Sequence, residues 1–329
     1  MCIVDLSGYS YSGKSAYYQL FAPCTSVRSF GIESEFDLFR IPGGILDLFH
    51  ALTDDNWSLM RSSHAIQKFR ILISRLSGKR TLASRLFSNG LYYDDLFPGF
   101  TSASYSFISS IVYSDFKCYW PFDRILYDSL PICSKLLNTF SLSLDQVSLS
   151  RFSRYELCSL IHLYISSLFS QFLEYQNGIV LLNNAFETSS PSCCIDLCPH
   201  SYSIVIDRDP RAIFTSAYLA CNAHNQSQAK AVIGRSTSNF ITRYLMQRTQ
   251  SSRYHPKCLN LSFEELMLSY ESTINKLSCF LSVPSTFFNS TTFRPSDRNI
   301  CPWKLHYDDP ILMASIHMIQ SELSSFCYL

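Results

Sequence analysis

The sequence predicts an α/β fold with a mostly parallel sheet, and three observations support this class. Short apolar runs alternate with helical patterns, a glycine-bounded loop joins the first run to a helix, and a long helical block precedes the later runs. The predicted strands are Cys2–Leu6, Gly178–Leu182, Tyr202–Ile206 and Lys257–Leu261. Strands that alternate with helices form parallel units whose helices cover both faces of the sheet. We therefore predict a three-layer α/β/α architecture with a large helical insertion.

The first strand leads into a segment with the spacing Gly-x-x-x-x-Gly-Lys-Ser, which is typical of a phosphate-binding loop. Gly8 and Gly13 permit backbone conformations that side chains would block, so that successive N–H groups can line up on one anion. The N-terminus of the following helix adds a partial positive charge, and Lys14 adds a full one. The predicted phosphate-binding residues of this P-loop-type fold are Gly8, Ser12, Gly13, Lys14 and Ser15. A glycine- and serine-rich turn with a solvated lysine is the alternative.

The composition limits the possible partners. The chain has 329 residues, a formal net charge of +1 and 47% hydrophobic residues, so it can form a large core and shows no bias toward nucleic acid. Its 13 cysteines form no Cys-x-x-Cys pair or zinc-like spacing, which indicates reduced thiols. No apolar run approaches the roughly 20 residues of a membrane span, and the first strand leaves no room for a signal peptide. We expect a cytoplasmic protein without a nucleic-acid partner or a membrane span.

The organisation of the chain predicts one domain over residues 1–329 with a mainly helical insertion at residues 41–177. Within the insertion, apolar residues recur three or four positions apart. Residues 56–90 contain seven Lys or Arg and no Asp or Glu. Several of these cations recur at near-helical spacing, namely Arg61, Lys68, Arg75 and Lys79. They present either a positive face to an anionic acceptor, such as a sulfated or carboxylated glycan, or an ordinary solvated helix surface.

A second constellation follows the strand Tyr202–Ile206 and reads Asp-Arg-Asp-Pro-Arg from Asp207 to Arg211. An apolar strand that ends in an aspartate is typical of a Walker B strand, whose carboxylate holds Mg²⁺ near the lysine loop. On this interpretation the chain is a P-loop kinase or NTPase that uses ATP and Mg²⁺.

The same segment resembles that of sulfotransferases that use 3′-phosphoadenosine 5′-phosphosulfate (PAPS). That family ends a strand with Arg-[Asp/Asn]-Pro-[Arg/Lys]-[Asp/Ala] and places a serine eight residues after the first arginine. Arg208 and Ser216 match in type and spacing, and the resemblance implies that they hold the 3′-phosphate of the nucleotide. A guanidinium at a strand end and a hydroxyl on the next helix can converge on one phosphate.

Two later stretches support the resemblance. Residues 259–283 are similar to the late strand and acidic helix start of the family, and residues 294–304 resemble the loop before its final helix. The resemblance implies that Arg298 and Lys304 also bind the nucleotide. The chain departs from many members of the family in its full Gly-x-x-x-x-Gly-Lys-Ser loop. A kinase or NTPase, or a non-catalytic nucleotide-binding module of the same fold, therefore stays open.

The resemblance implies transfer of a sulfuryl group from PAPS to a hydroxyl or amine of a glycan or small-molecule acceptor, with no metal required. Lys14 would neutralise the leaving phosphate oxygen, and Ser15 with the loop amides would hold the 5′-phosphate. The acceptor needs a general base, which the family places after the first helix as a histidine or glutamate. The candidates are Glu33, Glu35 and His50.

Glu35 is our choice of base because it follows an extended segment and precedes Phe36 and Phe39, which could partly desolvate it. Arg40 lies in the same segment and is predicted to position the acceptor. Asn183 follows the strand Gly178–Leu182 and either lines the acceptor pocket or belongs to a turn.

Overall fold

The described part of the computed structural model divides into two compact units. The structure describes residues 2–32, 34–53, 57–78, 92–118, 145–172, 178–224, 227–248, 253–288, 293, 295 and 300–328. The first unit comprises Met1–Phe39 and Phe172–Leu329, and the second comprises Arg40–Gln171. The prediction of a single domain over the whole chain concerns the relation between these units and stays a prediction.

The first unit is built on a parallel sheet. The strands of the chain are β1 (Cys2–Ser7), β2 (Val27–Ser29), β3 (Ser114–Cys118), β4 (Asp145–Leu149), β5 (Ile179–Asn183), β6 (Ser201–Asp207) and β7 (Cys258–Ser262). Five of them form one sheet in the order β2-β5-β1-β6-β7, and each neighbouring pair is parallel. β1, β5 and β6 are buried along nearly their whole length. Because successive side chains point to opposite faces, both faces are covered. The predicted α/β class with a mostly parallel sheet is confirmed.

Helices connect the strands and form the second unit. They are α1 (Lys14–Phe21), α2 (Ile45–Thr53), α3 (Leu59–Leu76), α4 (Tyr93–Leu96), α5 (Phe100–Ile111), α6 (Arg154–Phe169), α7 (Ser192–Ile195), α8 (Pro210–His224), α9 (Ser227–Ile233), α10 (Thr237–Arg248), α11 (Phe263–Leu268), α12 (Tyr270–Leu281) and α13 (Pro310–Glu322). Short 3₁₀ turns occur at Ser170–Phe172, Ser285–Phe288, Pro302–Leu305 and Ser324–Phe326. Within the described ranges, no helix has both the length and the hydrophobicity needed to cross a bilayer.

Two hydrophobic clusters stand out among the described residues of the first unit. One packs α1 against the sheet, and it includes Leu6 of β1, Leu20 of α1 and Ile204 of β6, all fully buried. The other joins α8, α10 and α13 and contains Phe214 and Phe240, whose rings meet edge to face with centroids 5.3 Å apart. These cores fix the helices that follow β1 and β6, and therefore the loops between strand and helix.

The second unit is mainly helical and also contains a two-stranded ribbon. In α3, Ile66, Phe69 and Ile73 are fully buried at the spacing that predicts an amphipathic helix. Ser58 caps this helix, because its Oγ accepts a hydrogen bond from the Arg61 backbone N–H at 3.2 Å. The strands β3 and β4 pair antiparallel within this unit. The sequence did not predict that ribbon.

The topology brings three strand ends to one edge of the sheet. The register pairs Leu6 with Asn183 of β5 and Ser7 with Val205 of β6, so that β5, β1 and β6 end side by side. Ligands of parallel sheets bind at this carboxyl edge. The glycine loop and the first residues after β5 and β6 therefore share one neighbourhood.

Candidate functional site

The glycine loop joins β1 to α1 and depends on its two glycines. Gly13 has a φ of 83°, in the left-handed region that side chains disfavour. A Cβ at Gly13 would lie 2.3 Å from Phe263 Cδ2, and one at Gly8 would lie 3.0 Å from the Ile206 carbonyl oxygen. Tyr11 also has a positive φ, of 65°. Gly8 therefore lies so close to the end of β6, and Gly13 so close to the residue after β7, that a side chain does not fit at either position.

Ser12 carries a buried hydroxyl inside this loop. Its side chain is 1% exposed, and its Oγ forms no hydrogen bond with the residues that the structure describes. A buried polar atom without a partner costs about 1–3 kcal/mol. The hydroxyl also borders a cavity of about 80 Å³ that Tyr9 and Tyr244 help to line. Ser12 is therefore set up to donate to a ligand oxygen.

Lys14 begins α1, and its charge acts on a carboxylate beneath the loop. Asp5 lies in the middle of β1 and is fully buried. Burial raises the pKa of Asp5 to about 6, while hydrogen bonds from Ser7 Oγ, the Ala185 N–H and Ser203 Oγ, together with the Lys14 charge, lower it. Those three bonds measure 2.5, 2.8 and 3.1 Å. Sequence reasoning missed Asp5, although an aspartate within an apolar strand is a visible signal.

Arg208 and Ser216 lie together beside the loop. Arg208 Nη1 donates to the Tyr11 carbonyl oxygen at 3.1 Å and to Ser216 Oγ at 3.4 Å. The arginine is 9% exposed. Burial lowers the pKa of Arg208, and the nearby Glu264 and Asp209 carboxylates raise it. The structure thus brings the two residues that the sequence paired into contact, and Arg208 also contacts the glycine loop.

Phe263 joins these parts and was not found by sequence reasoning. It is the first residue of α11, and its ring packs directly against Gly13. The Arg208 guanidinium lies over the same ring, 4.6 Å from its centroid. A cation over an aromatic face is held by electrostatic attraction as well as by packing. Phe263 therefore fixes the orientation of Arg208 toward the loop, and no local pattern in the sequence marks it.

The next charged residues of the same segment have internal partners. Arg211 binds Asp209 through two hydrogen bonds of 3.0 and 2.7 Å and lies over the Trp303 ring at 4.5 Å. The Asp209 carboxylate also accepts from the Tyr328 N–H at 3.0 Å. Asp209 and Arg211 therefore fix the start of α8 in the core.

Two nucleotide contacts were predicted near the final helix, at Lys304 and Arg298. Lys304 is exposed in the 3₁₀ turn Pro302–Leu305, next to the buried Trp303. Arg298 lies outside the described residues. The roles predicted for Lys304 and Arg298 stay predictions.

Asp207 ends β6 and is bound by two arginines. Arg253 Nη1 donates to both carboxylate oxygens, at 3.2 Å and 3.0 Å, and its Nε donates to the Thr188 carbonyl oxygen at 2.9 Å. Arg248 Nη1 also forms an ion pair with Asp207. Asp207 and Arg253 are both buried. This carboxylate is therefore neutralised within the protein.

Glu35 is connected to the glycine loop through a single side chain. Asn184 Nδ2 donates to Glu35 Oε1 at 2.5 Å, and Asn184 Oδ1 accepts from the Gly8 N–H at 3.2 Å. Asn184 has a φ of 47°, which directs this contact. Phe36 and Phe39, the residues expected to desolvate Glu35, are themselves buried in the core. The Asn184 side chain therefore bridges Glu35 and Gly8 of the loop.

The other candidates for base and acceptor contacts are Asn183, Arg40, His50 and Glu33. Asn183 is 4% exposed, and its Nδ2 donates to the Ile32 carbonyl oxygen. Its neighbour Asn184, which the sequence did not select, is the residue that reaches the loop. Arg40 and His50 belong to the second unit, and Glu33 lies outside the described residues. The acceptor roles of Asn183 and Arg40 stay predictions.

The chain has weak structural likenesses. No protein-family model matches it, and no curated protein matches it. It is similar to the sulfotransferase domain from the curacin biosynthetic pathway, with 12% identity, 98% of this chain and 97% of that chain covered, and a TM-score of 0.32. It is also similar to sulfotransferase STF9 from Mycobacterium avium, with 12% identity, 99% and 76% covered, and a TM-score of 0.33. Likenesses at this level carry no functional argument, which must come from the side chains of the site.

Proposed function

We propose that the protein is a PAPS-dependent sulfotransferase that transfers a sulfuryl group to a hydroxyl or amine of a glycan or small-molecule acceptor. The observation that carries the proposal is the contact of Arg208 with both Ser216 and the Tyr11 carbonyl of the glycine loop. This contact places the Arg208 guanidinium, a second cation, next to the loop that carries Lys14. Two adjacent anion sites fit a nucleotide that carries phosphate at both its 5′ and 3′ positions.

The chain offers suitable groups for both ends of such a nucleotide. Ser12 has a buried hydroxyl that lacks a partner among the described residues, and Lys14 stands at the N-terminus of α1, where the helix dipole favours an anion. These residues, with the loop amides and Ser15, would hold the 5′-phosphate. Arg208 and Ser216 would hold the 3′-phosphate through charge-assisted hydrogen bonds.

The reaction assigns separate tasks to Lys14 and Glu35. PAPS supplies the sulfuryl group, whose bond to the phosphate oxygen breaks as a bond to the acceptor oxygen or nitrogen forms. Lys14 would neutralise the charge that builds on that phosphate oxygen. Glu35 would take the proton of the acceptor, and Asn184 would orient the Glu35 carboxylate. The Gly8–Asn184–Glu35 contacts support this assignment because they tie the base to the loop.

The alternative kinase or NTPase would need Asp207 as a ligand of Mg²⁺. Arg248 and Arg253 already bind that carboxylate. A carboxylate neutralised by two guanidinium groups attracts a divalent cation weakly, because its negative charge is compensated. The environment of Asp207 therefore favours the sulfotransferase, and a non-catalytic nucleotide-binding module remains the third possibility.

The deciding experiment compares 3′,5′-diphosphoadenosine with ATP·Mg²⁺ by isothermal titration calorimetry. We expect 3′,5′-diphosphoadenosine to bind without Mg²⁺ and more tightly than 5′-AMP. Arg208→Ala should weaken this binding by about ten- to a hundredfold, because one charged hydrogen-bond donor is lost. The variant should leave 5′-AMP binding nearly unchanged, since that ligand lacks the 3′-phosphate.

The matched control is Arg235→Ala, which removes an exposed arginine of the same unit and should not change the affinity. Tighter binding of ATP·Mg²⁺ with no effect of Arg208→Ala would contradict the proposal. Transfer from labelled PAPS to a panel of acceptors then separates an enzyme from a module, since a module binds without transfer. Glu35→Gln should lower the transfer rate by about 10²–10⁴-fold while it retains nucleotide binding.

A further inference from the structure

A groove of about 790 Å³ lies in the second unit between α2 and α3. One wall is the exposed face of α3, which contributes Arg61, His64, Lys68, Ile71 and Arg75. These residues are spaced alternately three and four positions apart, a pattern that places them on one face of a helix. The volume is within the usual range of sites for organic ligands.

The opposite wall consists of α2 and the loop before it. Asp47 and His50 of α2 are exposed to the groove, and the loop runs through Gly43. Gly43 has a φ of 85°, and a Cβ there would lie 3.1 Å from Lys68 Cβ. The Gly43 N–H donates to Asp47 Oδ2 at 2.6 Å. The loop is therefore held against α3, and one carboxylate oxygen of Asp47 accepts from the Gly43 backbone N–H.

The charges of the groove favour an elongated anion. Among the described lining residues are three cations, Arg61, Lys68 and Arg75, and one carboxylate, Asp47. Successive cations are seven residues apart, which corresponds to about 10 Å along the helix axis. A single phosphate or sulfate is too small to contact all three. A ligand that uses the whole face must carry several negative charges along its length.

The remaining lining distinguishes between classes of polyanion. The described residues of the lining include no Phe, Tyr or Trp, so they offer nucleic-acid bases no stacking platform. Of the apolar side chains on the α3 wall, Ile71 is 40% exposed while Leu72 and Ala65 are each 8% exposed. An amphipathic peptide helix needs a longer row of apolar anchors. The imidazoles of His50 and His64 and the second Asp47 oxygen suit hydroxyl groups instead.

We infer that this groove binds an acidic saccharide of a few sugar units that carries sulfate or carboxylate groups. The saccharide would place its charges on Arg61, Lys68 and Arg75 and its hydroxyls against the opposite wall. The inference goes beyond the proposed transferase activity, because it uses residues of the second unit alone and describes binding rather than turnover.

Calorimetric titration of the full chain with a heparin tetrasaccharide tests the inference, with the chemically desulfated tetrasaccharide as the paired ligand. We expect saturable binding of the sulfated form at about 50 mM salt that weakens as salt screens the exposed charges. Combined Arg61→Ala, Lys68→Ala and Arg75→Ala should weaken binding by about tenfold or more. Lys117→Ala removes an exposed cation of the same unit outside the groove and should leave the affinity unchanged.

Ile71→Glu provides a second, independent variant. It keeps every cation and places a carboxylate in the middle of the α3 wall, at a side chain exposed enough to tolerate the change. We expect weaker binding of the sulfated tetrasaccharide by about threefold or more, from charge repulsion. Thermal unfolding of each variant checks that the fold is retained.

Three outcomes would overturn the inference: no binding of the sulfated tetrasaccharide, equal binding by the triple variant, or tighter binding of an oligoglutamate or oligothymidylate of similar charge. Arg208→Ala should retain this binding. Loss of the nucleotide site and loss of the groove are therefore separate results, and either proposal can fail alone.

Discussion

Two neighbouring strands each bury one aspartate, and the surroundings of the two carboxylates are opposite. Asp5, in the middle of β1, is held by two hydroxyls and one backbone N–H. Asp207, at the end of β6, is held by Arg248 and Arg253. The Asp5 carboxylate accepts hydrogen bonds from neutral groups, whereas the Asp207 carboxylate forms ion pairs with two arginines.

This difference separates structural charges from charges that can serve a ligand. Arg248 and Arg253 are engaged with Asp207, and Arg211 is engaged with Asp209 in the same way. Arg208 instead contacts a carbonyl oxygen, a hydroxyl and an aromatic ring. Carbonyl, hydroxyl and aromatic contacts leave a guanidinium its positive charge, which attracts an anion. Arg208 is the arginine of this segment that the structure ties to the glycine loop.

The largest effect is expected from Asp207→Ala. The change leaves Arg248 and Arg253 close together without their shared carboxylate, and the side chain of Arg253 is only 7% exposed. Removing one partner of a buried ion pair costs about 3–5 kcal/mol of the free energy of unfolding. Urea denaturation at neutral pH measures the loss.

Asp115→Ala is the matched control for that experiment. Asp115 also pairs with an arginine, Arg70, but the two side chains are 34% and 20% exposed. Its removal should cost only about 1 kcal/mol. If both variants lost the same stability, the proposed role of burial at Asp207 would be wrong.

Asp5→Asn should remove a pH dependence that the wild-type protein shows. Burial in the folded state raises the pKa of Asp5 to about 6. Between about pH 4 and pH 6 the folded protein therefore binds more protons than the unfolded chain does. The free energy of unfolding therefore falls as pH rises through this window, by up to about 3 kcal/mol. Asparagine cannot ionise and lacks this fall.

The readout is the stability difference between Asp5→Asn and wild type, since other titrating groups cancel in that difference. The difference should shift in favour of the variant from pH 4 to pH 6.5, as measured by urea unfolding at each pH. A flat difference would mean that Asp5 stays ionised over the whole range, which would contradict the raised pKa.

The fold class could be predicted because its signals are local. Apolar strands, the glycine loop and helical spacing each depend on residues close in sequence, and the predicted strand Tyr202–Ile206 extends by only one residue at each end. The ribbon of β3 and β4 was missed because its pairing is not local, Ser114 facing Leu149. Its residues are also largely exposed, so they show no apolar alternation.

In the candidate site too, local spacing could be read from the sequence and contacts between distant residues could not. Arg208 and Ser216 are eight residues apart, and their spacing was enough to pair them. Phe263 and Asn184 act on the loop from distant parts of the chain, so no motif connects them to it. The arginine partners of Asp207 are equally remote. Only the folded chain shows that this aspartate, which the sequence offered as a metal ligand, is already neutralised.

Arg253→Ala tests how the two arginines share Asp207, with a smaller expected effect. Arg253 binds both carboxylate oxygens and also the Thr188 carbonyl, whereas Arg248 makes one ion pair and is more exposed. We expect Arg253→Ala to cost about 2 kcal/mol and Arg248→Ala about 1 kcal/mol. Equal costs in urea unfolding would contradict this unequal division of Asp207 between the two arginines.

Removing both arginines should make Asp207 resemble Asp5. The carboxylate would be left without its cations, and its pKa should rise because burial then dominates. The free energy of unfolding of the double variant should then fall more steeply with rising pH than that of the wild type. We also expect the double variant to bind Mg²⁺ more tightly than the wild type does, which calorimetry with MgCl₂ measures.

The smallest effect is expected from Ser203→Ala, which removes one of the three donors to Asp5. Ser203 is fully buried and donates to Asp5 Oδ2 at 3.1 Å. Its loss should cost about 1 kcal/mol below pH 4 and more above pH 6, because a hydrogen bond to an ionised acceptor is the stronger one. Ser201→Ala is the matched control, since Ser201 is a fully buried serine on the same face of β6 that donates to the neutral Cys198 carbonyl at 2.8 Å. Its cost should not change with pH, and a pH-independent cost at Ser203 as well would place the raised pKa of Asp5 in doubt.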